Sequence, residues 1–399
     1  MMQRALGRRF DASMWTPQLL TLAAAVFLTR LGQGLMSGAS TNFFVDTLGL
    51  SGSQVLWMTS VREVPGLLLV FLAAAVCRLP LSWRAAGSLL IMGLGFGLYA
   101  AVHSYAALLV MVVVASIGFH NWGPSENALA LGMAGKARSG RVLGSLSSMG
   151  SLASIMGIGL VAALSAGLSL RVFYAAAGAV IALAGLVVLR VPRTAGATSG
   201  RAVPRIVVRR KYWLYYVLTF FEGCRTQVFG AFGTLVLVKY YDMAVGQISI
   251  LLAASGLLNF LVAPRFGLLI DKLGERLMLS GSYLVLALCF MGYATVHNVW
   301  FLAAMLLCIN LMITMRIGLS SYVHRLAPPE ELAATLTAGV SMNHISSVSV
   351  ALVAGSLLEV VGYEGLCWGA VGLILLSVPF AWAMRVEKTE AVPAAVAAG

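Results

Sequence analysis

Residues 213–237 read WLYYVLTFFEGCRTQVFGAFGTLVL, a long apolar run with two charged side chains near its middle. A run of this length predicts a membrane-spanning helix, which needs about 20 apolar residues. Glu222 and Arg225 are three positions apart, so they share one face of that helix. An ionisable side chain at mid-bilayer costs at least about 2.5–3.5 kcal/mol, which favours a functional role. The alternative is a self-neutralised pair that locks two helices together.

The rest of the chain has the same apolar character. Its 399 residues are 60% hydrophobic and 10% charged, and its mean hydropathy is +0.92. Soluble domains do not have this composition. The first apolar run is too long for a signal-peptide core and no clear cleavage site follows it, so we expect it to remain as a span. We predict an all-α membrane protein with twelve transmembrane helices, at approximately 17–44, 54–77, 86–102, 106–131, 143–166, 171–190, 213–238, 247–269, 278–296, 300–322, 332–357 and 363–384.

The basic residues are distributed unevenly between the two sides of these spans. Of the 27 Lys and Arg residues, 21 fall on the inner side if the N-terminus is cytoplasmic, two on the outer side and four inside spans. The two outer residues are Arg171 and Lys239, and the four within spans are Arg30, Arg62, Arg225 and Arg316. This asymmetry predicts a multi-pass protein of a bacterial-type cytoplasmic membrane with both termini in the cytoplasm. The net charge of +13 therefore indicates topology and contact with anionic lipid, and no nucleic-acid partner is expected.

The chain divides into two similar halves. The connection between the sixth and seventh runs is long, basic and interrupted by Pro and Gly, a composition typical of a flexible linker. We predict a six-helix bundle at 1–192, a basic cytoplasmic linker at 193–211 and a second six-helix bundle at 212–399. One spacing recurs in both halves: Arg30, Asp46 and Gln54 in the first, and Arg225, Asp242 and Gln247 in the second. Paired six-helix repeats are found in one class of secondary transporters.

The connection after the eighth run carries a recognisable pattern. Residues 267–276 read GLLIDKLGER, which resembles the loop signature of the major facilitator superfamily, Gly-x-Leu-x-Asp-Arg-x-Gly-Arg-Arg. A weaker similarity lies at Gly123-Pro124 and at residues 140–144. The loop after the second run, residues 77–84, departs from the signature because it lacks the glycines and the aspartate. The resemblance covers the whole chain, and it implies conformational gating by Gly267, Asp271, Gly274 and Arg276.

The resemblance also implies a binding site, because the first, fourth, seventh and tenth spans line the central cavity in this superfamily. The expected substrate-binding residues are Arg30, Gln33, Glu222, Arg225, Gln227 and Arg316. Four arginines in the spans face three acids, so the cavity should keep a positive charge and prefer a small organic anion, such as a carboxylate or phosphate. Arg30 and Arg225 occupy corresponding helices of the two halves, and we expect them to hold the anionic group together.

Buried acids in the spans are candidates for proton coupling, because burial disfavours the charged form of a carboxyl group. The candidates are Glu126, Glu63 and His120. Glu126 ranks first because no basic residue stands three or four positions from it. For His120, as for Asn343 and His344 on the eleventh run, a hydrogen-bonded helix contact is the alternative role.

No enzyme is indicated by the sequence. It contains no nucleophile turn, no phosphate-cradling Gly-Lys-Ser/Thr loop and no close-spaced His/Cys metal motif, so we expect neither a catalytic site nor a cofactor. We predict a monomeric secondary transporter of a small solute that works by alternating access, with the proton as a candidate coupling ion. The alternatives are a proton-coupled multidrug efflux antiporter and a non-transporting membrane scaffold or sensor on the same fold. The altered loop at 77–84 favours the scaffold.

Overall fold

The computed structural model describes residues 15–385, apart from 70–71, 73–75, 77, 135–138, 196–208 and 328. In these ranges the chain is helical, without a β-strand. Nine of the helical segments found there are long and apolar enough to cross a membrane. Most of the predicted linker, and both ends of the chain, lie outside the described residues.

The first half contains six helices. Their bounds are α1 Pro17–Asn42, continued by a π-helical turn Phe43–Thr47, α2 Gly52–Leu67, α3 Leu81–Leu98 with a 3-10 turn Tyr99–Ala101, α4 Tyr105–Ala134, α5 Ser139–Leu164 and α6 Leu170–Val188. Local sequence explains where several of them begin. Thr16 accepts a hydrogen bond from the Leu19 amide ahead of Pro17, and Ser51 and Gln54 form a reciprocal capping box at the start of α2.

The second half has the same number of spans but less regular helices. Its elements are a 3-10 turn Arg210–Tyr212, α7 Trp213–Lys239, α8 Val245–Leu273, α9 Glu275–Thr295, α10 Val299–Ile313, a 3-10 turn Thr314–Arg316, α11 Ile317–Leu326 and α12 Pro329–Trp382. The tenth predicted span is thus divided by a 3-10 turn. The last two predicted spans form one helical segment that reverses at Gly362, where φ is 70° and ψ is 177°. With α10 and α11 counted as one span and the two arms of α12, 329–361 and 363–382, as two, the described chain agrees with the predicted twelve.

Small residues bring helix backbones together inside the first half. A Cβ atom added to Gly157 of α5 would lie 2.9 Å from the Cα of Gly34 on α1. Glycine at such positions allows two helices to approach closely, which is how spanning helices pack without a hydrophobic driving force. α1 is therefore held firmly against α5, and the side chains of α1 are positioned by that contact.

The two halves meet mainly toward one side of the molecule. We call the side where α1 and α7 begin the near side, and the side of the Leu48–Ser51 connection the far side. Hydrogen bonds join the halves on the far side, from Ser249 to the Gly38 carbonyl (3.0 Å), from Thr41 to Thr234 (3.1 Å) and from Asn42 to the Met243 carbonyl (3.1 Å). Closer to the middle, Ser60 of α2 donates to the Val348 carbonyl of α12 at 2.9 Å. The structure is thus a conformation closed on its far side.

Candidate functional site

A cavity of about 300 Å³ lies in the second half. Its walls come from α7, from the 3-10 turn and α11, and from the first arm of α12. This volume is at the lower end of the range for small-molecule sites. Most of the lining side chains are polar, namely Tyr215, Thr219, Glu222, Arg316, Ser320 and Asn343.

Arg316 is the cation of this cavity. It is the last residue of the 3-10 turn, and the turn is fixed to α8 because Thr314 donates to the Asn259 side-chain oxygen at 2.9 Å. A 3-10 turn within a longer helix changes the direction of the side chains that follow it and often marks a functional position. Arg316 is exposed, and among the described residues its guanidinium has no hydrogen-bonding or ionic partner. The charge therefore remains available to a solute.

Arg225 has a different environment from Arg316. It is 2% exposed, and its guanidinium donates to Glu222 at 3.0 Å and to Ser377 on the second arm of α12 at 2.8 Å. The central carbon of the guanidinium also lies 3.7 Å from the ring centroid of Tyr283 on α9. The arginine thus points into the helix packing, and Glu222 stands between it and the cavity. In this conformation a solute in the cavity contacts Glu222 rather than Arg225.

Arg30 carries a partly exposed positive charge in the first half. Its guanidinium donates to Glu126 of α4 at 3.1 Å and to Gln33 at 3.0 Å, while 36% of its side chain remains exposed. Gly150 of α5 leaves room for the stem of the arginine, since a Cβ there would lie 2.9 Å from its Cγ. Glu126 therefore has a partner after all. The sequence showed no basic residue three or four positions away on its own helix, and the partner comes from α1.

A second polar cluster lies where α2, α4 and the first arm of α12 meet. Glu63, which is 3% exposed, has its Oε2 atom 3.2 Å from Nδ1 of His344 and 3.6 Å from Nε2 of His120. Its other oxygen lies 3.2 Å from Nε of Arg62. We call Glu63, His120 and His344 the histidine cluster. Glu63 and His120 belong to the first half of the chain and His344 to the second, so the cluster joins the halves.

The predicted gating residues lie at the near-side turn between α8 and α9. Gly274 ends α8 with φ at 84°, a conformation that favours glycine. Arg276 stacks on the Trp382 ring at 4.0 Å. Glu275, which the sequence analysis did not single out, is buried and accepts hydrogen bonds from Arg325 at 2.9 Å and Ser321 at 2.6 Å. The structure does not describe the side chains of Asp271 and Gln227 or the surroundings of Gly267.

Comparison with known proteins gives a match to one family model and to solved structures. The family model described as Major Facilitator Superfamily matches residues 215–398, and 92% of the chain shares its fold with a solved transporter, as given below. The second half of the chain thus matches the major facilitator superfamily. No curated protein sequence matches the chain.

Three solved structures illustrate the likeness within this superfamily. A mutant of the nucleoside transporter NupG has a TM-score of 0.79 and 16% identity, with 92% of this chain and 99% of that one covered. A mutant of the peptide transporter POT in complex with sulfate has a TM-score of 0.69 and 15% identity, with 91% of this chain and 94% of that one covered. A bacterial homolog of the human lysosomal transporter Spinster, inward-facing and unoccupied, has a TM-score of 0.67 and 14% identity, with 92% of this chain and 95% of that one covered. At these identities the structures establish the fold that they share with this chain.

The family match over the second half and the shared fold support a multi-pass membrane transporter of a small solute. The expectations from the sequence for fold and family are confirmed. Those for individual site residues remain predictions. Glu275 is a group that the sequence did not indicate, and the structure brings His344 and Asn343, considered from the sequence only beside His120, to the histidine cluster and the cavity wall.

Proposed function

We propose that this superfamily member transports a small organic anion, carrying a carboxylate or phosphate, by alternating access. The observation that supports the proposal is the pair Arg30 and Arg316. Each half of the chain contributes one of them, and each is partly or largely exposed. Arginine stays charged and offers a planar set of donors that matches carboxylate and phosphate oxygens.

This pair differs from the one expected from the sequence. Arg225 was expected to act with Arg30, but its contacts with Glu222, Ser377 and Tyr283 already use its charge and both of its terminal nitrogens. Arg316 therefore takes the place of Arg225 in the proposal. A solute held by both halves stabilises the conformation in which they approach each other, whereas a ligand held by one half alone cannot favour closure.

Proton coupling is proposed through Glu126. Its carboxylate and the anionic solute compete for the same guanidinium, that of Arg30. Protonation of Glu126 removes its charge and frees Arg30 to bind the solute. Loss of the proton restores the ion pair and weakens the solute's hold. In this way one arginine links the binding of a proton to the binding of an anion.

The distribution of basic residues indicates which side of the membrane the open side of the transporter faces. Among the described residues, the near side carries Arg209, Lys211 and Arg276, which belong to the 21 basic residues that the sequence assigns to the cytoplasm. Because the structure is closed at the far side, we propose that it is the cytoplasm-facing conformation. The proposal includes a cytoplasmic linker at 193–211 and cytoplasmic termini.

The test is a binding screen on purified protein. The panel contains small carboxylates, phosphorylated metabolites, nucleosides and lipophilic cations, and the readout is the rise in melting temperature, which reports binding to the folded state. Anions should stabilise the parent protein. Arg30→Lys and Arg316→Lys should each bind the best anion at least about tenfold more weakly, since a charge-assisted hydrogen bond contributes about 1.5–3 kcal/mol.

Arg265→Lys is the matched control, because Arg265 is exposed on α8 and donates only to a backbone carbonyl of its own helix, that of Leu261, among its described contacts. It should bind as the parent does. If Arg30→Lys and Arg316→Lys also bind anions as the parent does, the anion proposal fails. Stabilisation by lipophilic cations alone would favour multidrug efflux. Absence of counterflow in proteoliposomes for every solute would favour a scaffold or sensor.

An uncharged polar solute is the second candidate. Glu222 and Arg225 neutralise each other beside the cavity, and Thr219, Ser320 and Asn343 supply neutral hydrogen-bonding groups. The solved structure with the TM-score of 0.79 is a nucleoside transporter. Stabilisation by nucleosides that is retained in Arg316→Lys would favour this candidate over an anion.

A further inference from the structure

The histidine cluster offers three metal-ligating groups that converge on one point. Their ligand atoms, one from each of Glu63, His120 and His344, all lie within 4.8 Å of one another. The residues stand far apart in the sequence, on three helices. Gly66, one turn after Glu63, makes the convergence feasible, because a Cβ there would lie 2.6 Å from His120 and 2.7 Å from His344.

The hydrogen bonds of His120 show which of its two ring nitrogens carries the hydrogen. The other nitrogen then has a lone pair directed at the cluster. Nδ1 lies 3.0 Å from the Ser116 carbonyl oxygen, which can only accept. The Ser116 hydroxyl, also 3.0 Å from Nδ1, donates its own proton to the Arg62 carbonyl, so it too accepts from the ring. Nδ1 therefore carries the hydrogen, and in the neutral imidazole Nε2 presents a lone pair to Glu63. Ring nitrogens that bind metals are oriented in this way by a carbonyl on the other nitrogen.

Two acceptors then face each other at 3.6 Å, Nε2 of His120 and Oε2 of Glu63, and a cation between them removes the repulsion. A proton on Nε2 would draw the pair into a charge-assisted bond of about 2.7–2.9 Å, clearly shorter than the distance found. A tetrahedral ion of the zinc type, with Zn–N and Zn–O bonds of about 2.0–2.2 Å, places its ligand atoms about 3.3–3.6 Å apart. The separations of 3.2 and 3.6 Å between Glu63 Oε2 and the two histidine nitrogens lie close to this distance.

We propose that Glu63, His120 and His344 form a binding site for a divalent transition-metal ion of the zinc type, which bridges the two halves of the transporter. Arg62 holds the other oxygen of Glu63 and so orients the carboxylate toward the two imidazoles. Three protein ligands leave a fourth position for water, as in open zinc sites with two histidines and one glutamate. The metal site is separate from the proposed anion site, and either can exist without the other.

Metal binding should favour the conformation seen here. The ligands come together because α2 and α4 of the first half lie against the first arm of α12, and a rocking motion that separates the halves would remove His344 from the other two. An ion that binds one conformation only shifts the equilibrium toward it. At a free concentration 100 times its Kd, the shift is about 100-fold. The ion would thus inhibit transport whatever the solute.

The experiment measures zinc binding to the full-length protein, stripped of metal with EDTA and freed of any histidine tag. Titration at pH 7.5 should show one saturable site. His120→Gln and His344→Gln should weaken it at least tenfold. The control is His297→Gln, since His297 and Glu364 form an exposed histidine–glutamate pair at 3.7 Å and should not contribute. His344→Cys should restore binding with a preference for Cd²⁺, because a thiolate favours softer ions. This rescue separates ligation from misfolding.

A second readout reports conformation. Spin labels on Leu131→Cys and Leu326→Cys, exposed near-side positions of the two halves, should shift toward the longer separation when Zn²⁺ is added, and His344→Gln should abolish this shift. Absence of saturable zinc binding in the parent, or binding that survives both glutamine variants, overturns the proposal. It is also overturned if acidification in EDTA reproduces the conformational shift and zinc adds nothing, since the cluster would then respond to protons alone.

Discussion

Arg225 stacks on Tyr283 with its guanidinium 3.7 Å from the ring centroid, and it does so while bound to Glu222 and Ser377. Three helices, α7, α9 and the second arm of α12, thus meet at one cation. A cation on an aromatic face contributes about 2 kcal/mol or more when both are removed from water. The arginine that the sequence suggested as a ligand therefore acts in the structure as a link between helices.

The first prediction concerns this link. Arg225→Ala should lower the stability of the ligand-free protein by about 3 kcal/mol, because Glu222 would lose its buried partner. Arg225→Lys should lower the stability by a smaller amount. A lysine keeps the charge but has no planar group that can bond to Glu222 and Ser377 and also stack on the Tyr283 ring. The measurement is the melting temperature without ligand. A loss of anion affinity at unchanged melting temperature would instead return Arg225 to the binding site.

The second prediction concerns Glu126. Glu126→Gln should abolish accumulation driven by a proton gradient and preserve exchange of solute for solute, because the amide cannot release a proton and competes weakly for Arg30. The measurement is uptake into proteoliposomes with and without a pH gradient. Gradient-driven uptake equal to that of the parent would exclude Glu126 as the coupling group.

The third prediction concerns Gly66. Gly66→Ala should destabilise the protein by about 1–3 kcal/mol, the usual cost of overpacking, because the new methyl group would overlap the rings of His120 and His344. The matched control is Gly87→Ala in α3, where a Cβ meets no atom of the described structure within 4 Å. Alanine is the better helix former by about 1 kcal/mol, so the control should be neutral or stabilising. Equal melting temperatures for Gly66→Ala and Gly87→Ala would mean that the histidine cluster is less closely packed than described.

The fourth prediction concerns pH at the near side. Glu331 accepts from Tyr212 at 2.6 Å, pairs with Lys211 at 2.7 Å and lies 3.4 Å from Arg209. The hydrogen bonds from Lys211 and Tyr212 hold the pKa of the Glu331 carboxyl below its usual value. A lowered pKa in the folded state stabilises above the ordinary carboxyl pKa, and the benefit disappears as pH falls through the lowered value.

Glu331→Gln should therefore melt below the parent at pH 7, and the difference should shrink as the pH falls below about 4. The cluster is on the surface, so high salt should also reduce the difference. The measurement is a pH series of melting temperatures at low and high salt. A difference that persists unchanged in acid would show that this carboxylate is not the source of the effect.

The fifth prediction concerns the loop signature. Asp271→Asn should slow transport and leave solute affinity nearly unchanged, because Asp271 lies in the last turn of α8 at the near side and belongs to the loop signature. The measurement pairs turnover in proteoliposomes with solute affinity from binding. A large loss of affinity at normal turnover would contradict a gating role.

The sequence was sufficient for the architecture, because each span is a local property of about 20 apolar residues. The loop signature at 267–276 then indicated the family. Two irregularities escaped prediction. The 3-10 turn at Thr314–Arg316 lies in an apolar run without Pro, and the Gly318 that follows it is no specific signal for such a turn. The last two spans are continuous because Gly362 adopts one particular backbone conformation. The pattern of apolar residues in the sequence does not predict that conformation.

The site was harder to predict, because its contacts join distant parts of the chain. The i,i+3 pair of Glu222 and Arg225 was visible in the sequence, but the direction in which its helix face points was not. The partner of Glu126 was sought on the same helix and lies on α1. His120 and His344 meet only because α4 and α12 pack on the same side of α2. Such pairings follow from tertiary packing, which spacing along one helix cannot reveal.

Three far-side hydrogen bonds, among them the one from Ser249 to Gly38, help to set how the protein is distributed between its two conformations when no solute is bound. Three neutral hydrogen bonds contribute about 0.5–1.5 kcal/mol each, and a gap of about 3 kcal/mol leaves the opposite conformer near 1% of the population. Every sample should then hold a small fraction of molecules open to the far side. A solute supplied only there could enter through that fraction, so flux in either direction would be governed by the two concentrations and the coupling ion.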